Sequence, residues 1–274
     1  MLQILSQPFV LYAAVAGLIL AGIHAYLGFH VVSRGVIFVD LSLAQAAAFG
    51  AVLAHTLGFP EHTAAEYFVS LAFTLFGALL ISLTRTKDER VPQEAFIGII
   101  YAGFTALAMI LLARRPEGMQ ELEEMLAGSL LTTSPREILI ITLLSSGVGA
   151  FNYICRKQFF LLSENRAAAI SSGANVVLWD FLFYASFGLV VTSAVHLAGV
   201  LLVFSLLVIP PVCALLVSQS KAWRLMIGWV LALLASLIGL VISVASDMPT
   251  GPAIIASLIG ILLLFGLYRK LIIR

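Results

Sequence analysis

The sequence predicts an all-α integral membrane protein, a polytopic helical bundle of about 8–9 transmembrane helices with short broken or re-entrant segments. Hydrophobic residues make up 61% of the chain and charged residues only 11%, whereas a soluble domain carries about 25% charged residues. The apolar runs are long enough for helices of about 20 residues, the length that crosses a bilayer. Alternating strands of about ten residues are absent from the sequence, so a membrane β-barrel is not expected.

Nine apolar segments, separated by polar stretches that contain proline or glycine, are the candidate spans. No soluble linker interrupts them, so we expect residues 1–274 to form a single transmembrane domain. The segments are Phe9–Val32, Val36–Leu57, Ala65–Leu83, Ala95–Ala113, Ile138–Cys155, Val177–Val195, Leu197–Val217, Ile227–Ala245 and Ala253–Leu271.

The basic residues predict the orientation of these spans. With nine crossings and the N-terminus outside, twelve of the 15 Lys and Arg residues fall on the inner face, as expected of cytoplasmic loops. The inner set is Arg34, Arg85, Lys87, Arg90, Arg156, Lys157, Arg166, Lys221, Arg224, Arg269, Lys270 and Arg274, and the outer set is Arg114, Arg115 and Arg136. The acidic, amphipathic segment Met119–Thr133 is too short to cross, so we expect an interfacial or re-entrant helix on the outer side.

One acid, Asp40, lies inside the apolar segment Val36–Leu57. An ionised carboxylate in hydrocarbon costs about 2.5–3.5 kcal/mol on insertion scales, so it must face a polar group, water or a cargo ion. The neighbouring leucines and alanines offer no partner on the same segment. A structural hydrogen bond and a transported cation are both open, and we favour the cation.

A second acid, Asp247, comes where a helix must stop, because Pro249 and Pro252 follow it. Ser243 lies four residues earlier and therefore on the same helical face. Broken helices at membrane depth are tolerated beside a cavity or within protein, which makes this carboxylate a reasonable ligand. An ordinary turn with an exposed acid has the same spacing. His196, near a predicted outer end, is a further candidate.

The segment Ser163–Asn175 lies between two spans on the predicted inner face. Ser163 can cap a short helix there, and Gly173 can end it. A short surface helix that is apolar on one side suits docking to a soluble partner, and a plain connecting loop is the alternative.

Enzymatic and nucleic-acid functions have little support in the sequence. A net charge of +1 without a basic cluster does not indicate a nucleic-acid partner. The chain has no nucleophile elbow, phosphate-cradling glycine loop or HExxH pair, so we expect it to catalyse nothing itself.

Taken together, five stretches resemble the membrane permease subunit of bacterial ABC importers for divalent metals, the zinc, manganese and iron uptake group. The similarity covers nearly the whole chain, and its strength lies in the order and spacing of the stretches. They are Arg34–Phe49, Ala95–Ala102, Leu126–Leu131, Gly199–Ala214 and Asp247–Pro252, in which Asp40 and Asp247 match the two acids of the family's metal site.

The resemblance implies a permease in the bacterial cytoplasmic membrane that pairs with a second permease, as a homodimer or a pseudo-dimer. It also implies two cytoplasmic ATP-binding subunits, which hydrolyse ATP, and an extracytoplasmic metal-binding protein; no cofactor is bound permanently. The segment Ser163–Ala174 looks like the cytoplasmic coupling helix that contacts the ATPase, with Ser163, Glu164, Asn165, Arg166, Ala169 and Gly173 as its contact residues.

The chain departs from the family at the positions where histidines often accompany the two acids. Ala44 stands four residues after the first acid and Ser243 four before the second. The expected metal ligands are therefore Asp40, Gln45, Ser243, Asp247 and His196. Oxygen donors suit manganese or iron better, whereas the imidazole of histidine supports zinc binding. Zinc keeps a slight preference because zinc systems are frequent in the group.

The charge count and the motif match disagree over Asp40. If Arg34 lies at the inner face, Asp40 is only about 9 Å above it at about 1.5 Å per residue, whereas Asp247 lies near an outer end. Arg34 could lie deeper, the first crossing could be arranged differently, or the acids could serve successive steps. The predicted mechanism is ATP-driven alternating access, and an ATP-independent secondary carrier with Asp40 as its coupling site is the alternative.

Overall fold

A computed structural model describes residues 7–60, 63–85, 91–113, 128 and 130–272, and its regular structure within these ranges is helical. The described helices are α1 (Pro8–Arg34), α2 (Val39–Thr56), α3 (Ala64–Leu83), α4 (Gln93–Leu112), α5 (Pro135–Ile154), α6 (Arg156–Glu164), α7 (Arg166–Ser171), α8 (Val176–Ala198), α9 (Val200–Val217), α10 (Lys221–Ser246) and α11 (Thr250–Ile272). A short 3-10 helix over Leu130–Thr132 precedes α5. Most of the predicted interfacial segment Met119–Thr133 lies outside the described residues.

Among the described helices, eight are long and apolar enough to cross a membrane, and this confirms the predicted helical bundle. They are α1, α3, α4, α5, α8, α9, α10 and α11. The predicted bounds are close to the observed ones except at the start of α10, which begins at Lys221 rather than Ile227. The difference arises because hydropathy detects only the apolar part of a helix, while Trp223 and Arg224 are helical without being part of an apolar run.

The remaining predicted span, Val36–Leu57, corresponds to α2, which is not one of the eight. Its 18 residues include Asp40, Gln45 and His55, which lower its apolar content. Thirteen of the 18 are buried, and the helix packs against α3 and α4. Protein therefore surrounds much of α2, and this surrounding makes polar side chains tolerable on it.

The chain folds into two compact units. The first comprises Met1–Val32, Leu126–Ser146 and Ala194–Arg274, and the second comprises Ser33–Met125 and Gly147–Ser193. The expected single permease domain over residues 1–274 stays a prediction.

Close backbone contacts at glycine organise the first unit. A side-chain carbon added at Gly28 of α1 would lie 2.0 Å from the carbonyl oxygen of Leu207 in α9. That carbonyl lacks its usual helical donor, because the residue four positions later is Pro211, which has no N–H. A carbon added at Gly239 of α10 would lie 2.4 Å from Cα of Ile254 in α11. Glycine at both positions therefore permits contacts that a side chain would prevent.

Small residues have the same role in the second unit, where α2 and α3 meet. A carbon added at Gly50 would lie 2.6 Å from Cα of Ser70. The Ser70 hydroxyl donates to the carbonyl of Ala47 at 2.7 Å, so the contact also carries a hydrogen bond between the helices. This packing holds α2, and Asp40 with it, against its neighbours.

Candidate functional site

Asp40 is the second residue of α2 and is completely buried. Among the described residues, neither of its carboxylate oxygens has a hydrogen-bond partner, and the buried hydroxyl of Ser42 has none either. The positive end of the helix dipole contributes only about 0.3–1 kcal/mol to a carboxylate in the first turn, whereas burying an ion costs several kcal/mol. A cation would complete this arrangement.

An acid from another helix binds the start of α2. Gly35, with φ of +63°, directly follows α1. The amides of Ile37 and Phe38 donate to the carboxylate of Glu94 in α4. Glu94 is thus the acid that satisfies amides at the start of α2. The sequence analysis did not single out Glu94, although an acid in the first turn of a span is a detectable signal.

The residues that follow Asp40 on α2 add few ligands. Ala44 lies one helical turn after Asp40, on the same face, and is fully buried. Gln45 is buried as well, but it lies one residue further round the helix. The structure therefore places Asp40, Ser42 and Gln45 on one buried helix, with oxygen rather than imidazole as the available donor type.

Asp247 ends α10 in a left-handed conformation with φ of 53°, which confirms the predicted helix break. The Ser243 hydroxyl donates to the carbonyl of Met248 at 2.6 Å, and the Ser243 carbonyl accepts from the Met248 amide at 3.0 Å. Ser243 is thus engaged in the turn itself. The side chain of Asp247 is exposed, as is that of His196 in the last turn of α8.

The five predicted metal ligands fall into two groups. Asp40 and Gln45 belong to the second unit, and Ser243, Asp247 and His196 belong to the first. Within the described ranges, no group of three or more His, Cys, Asp or Glu side chains is arranged to hold a metal ion. A transport pathway does not require such a group, because an ion that binds too tightly cannot leave.

The predicted coupling segment Ser163–Ala174 begins in the last turn of α6 and includes all of α7, and the two helices are joined at Asn165. Asn165 caps α7, since its side-chain oxygen accepts the amide of Ala168 at 3.0 Å. The prediction that Ser163 is the cap is wrong. Ser163 lies in the last turn of α6, where its hydroxyl donates to the carbonyl of Phe159 at 2.7 Å. Asparagine caps a helix as well as serine does, and Asn165 is the residue that directly precedes α7.

The predicted end of this short helix is confirmed, whereas the predicted ATPase contacts stay a prediction. Gly173, with φ of +76°, directly follows α7 and its C-cap residue Ser172. Ala169 is fully buried, whereas Glu164 and Asn165 are exposed. The segment is thus anchored on one side and open on the other.

Arg34 is buried in the protein rather than exposed to solvent. Its guanidinium binds Asp180 at 3.1 Å and donates to the Ser163 hydroxyl at 2.9 Å. It also lies 3.9 Å from the centroid of the Phe183 ring. Asp180 also binds Arg85 and Arg166, which belong with Arg34 to the predicted inner set, so the inner position of Arg34 stays a prediction.

Asp180 is a functional candidate that the sequence analysis missed. It is fully buried in α8, and besides Arg34 it binds Arg166 at 2.8 Å and lies 3.6 Å from Arg85. An acid inside the apolar segment Val177–Val195 was the available signal.

These features are those of a polytopic transport protein. The described chain has membrane-spanning helices, a buried acid without a counter-charge, and a short helix pair between two spans. Over residues 6–269 the chain matches the ABC 3 transport family, and it belongs to that family. The resemblance based on motifs is thereby confirmed.

Curated relatives and a solved structure agree with this assignment. The chain is 29% identical over 251 residues to the manganese transport system membrane protein of Synechocystis sp., covering 90% of this chain and 77% of the relative. It is 27% identical over 253 residues to the chelated iron transport system membrane protein of Yersinia pestis, covering 91% and 82%. The structure of PsaBC from Streptococcus pneumoniae in complex with Fab has the same fold, with a TM-score of 0.79 at 20% identity over 95% of this chain and 91% of that one. The chain is a multi-pass permease subunit of the bacterial cytoplasmic membrane.

Proposed function

We propose that this chain is the membrane permease of an ATP-driven importer for a divalent metal cation. The observation that carries the proposal is the fully buried Asp40, whose carboxylate has no hydrogen-bond partner among the described residues. Membership of an ABC family favours an ATP-driven importer over the ATP-independent secondary carrier. The relatives named as manganese and iron transport proteins support a metal cargo.

In this proposal an extracytoplasmic binding protein delivers the cation, and Asp40 compensates its charge during passage. Asp247, exposed at the end of α10, acts on the ion at a different step from Asp40. Two cytoplasmic ATP-hydrolysing subunits contact the segment Ser163–Ala174, which contains α7, and a second permease copy completes the pathway. ATP binding and hydrolysis then drive alternating access.

The donor chemistry around Asp40 favours manganese or iron as the cargo. Asp40 offers carboxylate oxygens, which suit harder cations, and Ala44, one turn later on the same face, removes the imidazole that would support zinc. The preference for zinc expected from the resemblance stays a prediction. Competition by unlabelled zinc against radioactive manganese during uptake distinguishes the two.

The proposal is tested by uptake of radioactive manganese into cells that express the permease with its ATPase and binding protein. Asp40→Asn keeps the shape of the side chain and removes its charge, so we expect uptake to fall at least about tenfold, equivalent to about 1.4 kcal/mol. The amount of permease in the membrane is measured in parallel, so that lost uptake is separated from lost protein.

Glu137→Gln is the matched control for this experiment. The Glu137 carboxylate accepts from the amide and hydroxyl of Ser134 at 2.7 Å and so caps its own helix. Gln retains an accepting oxygen there, and uptake should stay near the wild-type rate. Normal uptake by Asp40→Asn at normal membrane levels would show that Asp40 does not serve the ion.

A further inference from the structure

The carboxylate of Asp180 is a meeting point for several segments of the second unit. It belongs to α8, and its three arginine partners come from the last residue of α1, the end of α3 and the first residue of α7. We call Asp180 and these partners, Arg34, Arg85 and Arg166, the Asp180 cluster.

The contacts of the cluster divide between the two carboxylate oxygens. Oδ1 accepts from Arg34 at 3.1 Å, while Oδ2 accepts from Arg166 at 2.8 Å and lies 3.6 Å from Arg85. Arg85 also donates to the hydroxyl of Tyr184, one turn further along α8, at 3.1 Å. One acid thus orients side chains from three other helices or helix ends.

The cluster carries three guanidinium groups around one carboxylate. The side chains of Asp180 and Arg34 are fully buried, and those of Arg85 and Arg166 are 12% and 30% exposed. Removing the Asp180 carboxylate would leave three positive charges close together. Arg85 and Arg166 are partly exposed to solvent, whereas Arg34 is not. Arg166 makes the shortest ion pair of the three and is the member that joins the cluster to α7.

The cluster also connects two places that the proposed function uses. Arg166 is the first residue of α7, in the predicted ATPase-contacting segment. Arg34 directly precedes Gly35, whose turn leads into α2 and Asp40. Arg34 reaches α6 as well, because its Nε donates to the Ser163 hydroxyl at 2.9 Å. One ion-pair cluster therefore connects the first residue of α7 to the residue that precedes the turn into α2.

We infer that Asp180 is a positioning residue for energy coupling, which holds the ATPase-contacting helix α7 to the start of the helix that carries Asp40. This inference rests on the proposed function, since coupling has meaning only for an ATP-driven permease. Asp180 acts through Arg34 and Arg166 and does not itself contact the cargo.

The test uses the assembled transporter, permease with ATPase subunits and binding protein, in proteoliposomes supplied with manganese. The readout is the ratio of ATP hydrolysed to manganese transported, measured for Asp180→Asn, Arg166→Gln and the double variant. A purely structural defect reduces the amount of assembled complex and lowers both rates together, leaving the ratio unchanged. We expect both single variants to raise the ratio about fivefold or more, within the range typical of coupling between sites.

The double variant tests whether the two residues act together. If Arg166 works through Asp180, the double variant has the same ratio as Asp180→Asn alone rather than the product of the two effects. Arg156→Gln is the matched control, because Arg156 is exposed on α6 and lies 4.0 Å from the centroid of the Tyr153 ring, outside the cluster. Its ratio should equal that of the wild type.

Each outcome decides between the inference and its failure. The inference is overturned if Asp180→Asn has the wild-type ratio of ATP hydrolysed to manganese transported. If Asp180→Asn does not assemble, a wild-type ratio in Arg166→Gln overturns it. Independent, multiplicative effects of the two substitutions overturn it as well. If the wild-type complex hydrolyses ATP but takes up no manganese, iron or zinc, the proposed function has failed instead.

Discussion

Asp40 and Asp180 are both fully buried acids of the second unit, but their surroundings are opposite. Asp180 is surrounded by three arginines and binds two of them within 3.1 Å. Asp40 has no hydrogen-bond partner in the described part of the chain. A buried carboxylate with permanent counter-charges holds a structure together, whereas one without them has capacity left for a cation that comes and goes.

The difference between these acids could not be predicted from the sequence. Both stand in apolar segments, and that signal revealed Asp40. The partners of Asp180 are spread along the chain, with Arg34 separated from it by 146 positions and Arg166 by 14. Pairing over such distances depends on how helices pack, which a hydropathy pattern does not encode.

Gly28 gives a prediction at the scale of a single residue. Gly28→Ala places a methyl group against the Leu207 carbonyl, so α1 and α9 must separate, and we expect a loss of about 1–3 kcal/mol in stability. The melting temperature of the purified permease in detergent measures the effect.

Gly22→Ala is the control for that substitution. Gly22 lies on the same helix, and nothing stands within 4 Å of an added carbon there. Alanine should be neutral or stabilising by up to about 1 kcal/mol because of its higher helix propensity. Equal melting temperatures for the two variants would contradict the close contact at Gly28.

At the scale of elements, hydropathy predicted eight of the spans because a membrane helix must bury its backbone hydrogen bonds in an apolar segment of fixed length. It also proposed α2, although α2 is shielded by α3 and α4 rather than being apolar throughout. The bounds of α6 and α7 were harder to predict, since several capping side chains compete within a few residues. Ser163 and Asn165 are both good caps by residue type, and only the structure shows that Asn165 has this role.

The cap of α7 provides a prediction for this element. Asn165→Ala removes the acceptor for the Ala168 amide and should destabilise α7 by about 1 kcal/mol. If α7 contacts the ATPase, its partial unfolding lowers manganese transport per ATP hydrolysed in proteoliposomes.

Asn165→Asp should retain coupling, because aspartate caps a helix as well as asparagine does. A loss of coupling in Asn165→Asp equal to that in Asn165→Ala would mean that Asn165 acts by another route, such as a direct contact with the ATPase.

At the scale of the whole molecule, the charge asymmetry predicts which side of the membrane each loop occupies. Arg136 is the second residue of α5 and Lys157 follows the other end of α5 by three residues, and both are exposed. In a background with Cys155→Ser and Cys213→Ala, we expect Arg136→Cys to react with a membrane-impermeant maleimide in intact cells. Lys157→Cys should react only after the membrane is permeabilised.

These two positions serve as each other's control, since both lie on exposed surface at the ends of one span. Labelling of both from the same side would show that α5 does not cross the membrane. Labelling in the reverse pattern would show that the predicted orientation is inverted.

The paired prolines of α9 have a consequence for how this span can move. Because Pro210 and Pro211 supply no amide hydrogen, the carbonyls of Leu206 and Leu207 lose two successive helical bonds in the interior of the span. The segments before and after this point keep their own bonds, and each is stiff. Where they join, fewer backbone hydrogen bonds resist bending than in the rest of the helix, and Gly28 packs against one of the two oxygens without a helical donor. We expect α9 to bend more easily at this point than elsewhere along its length.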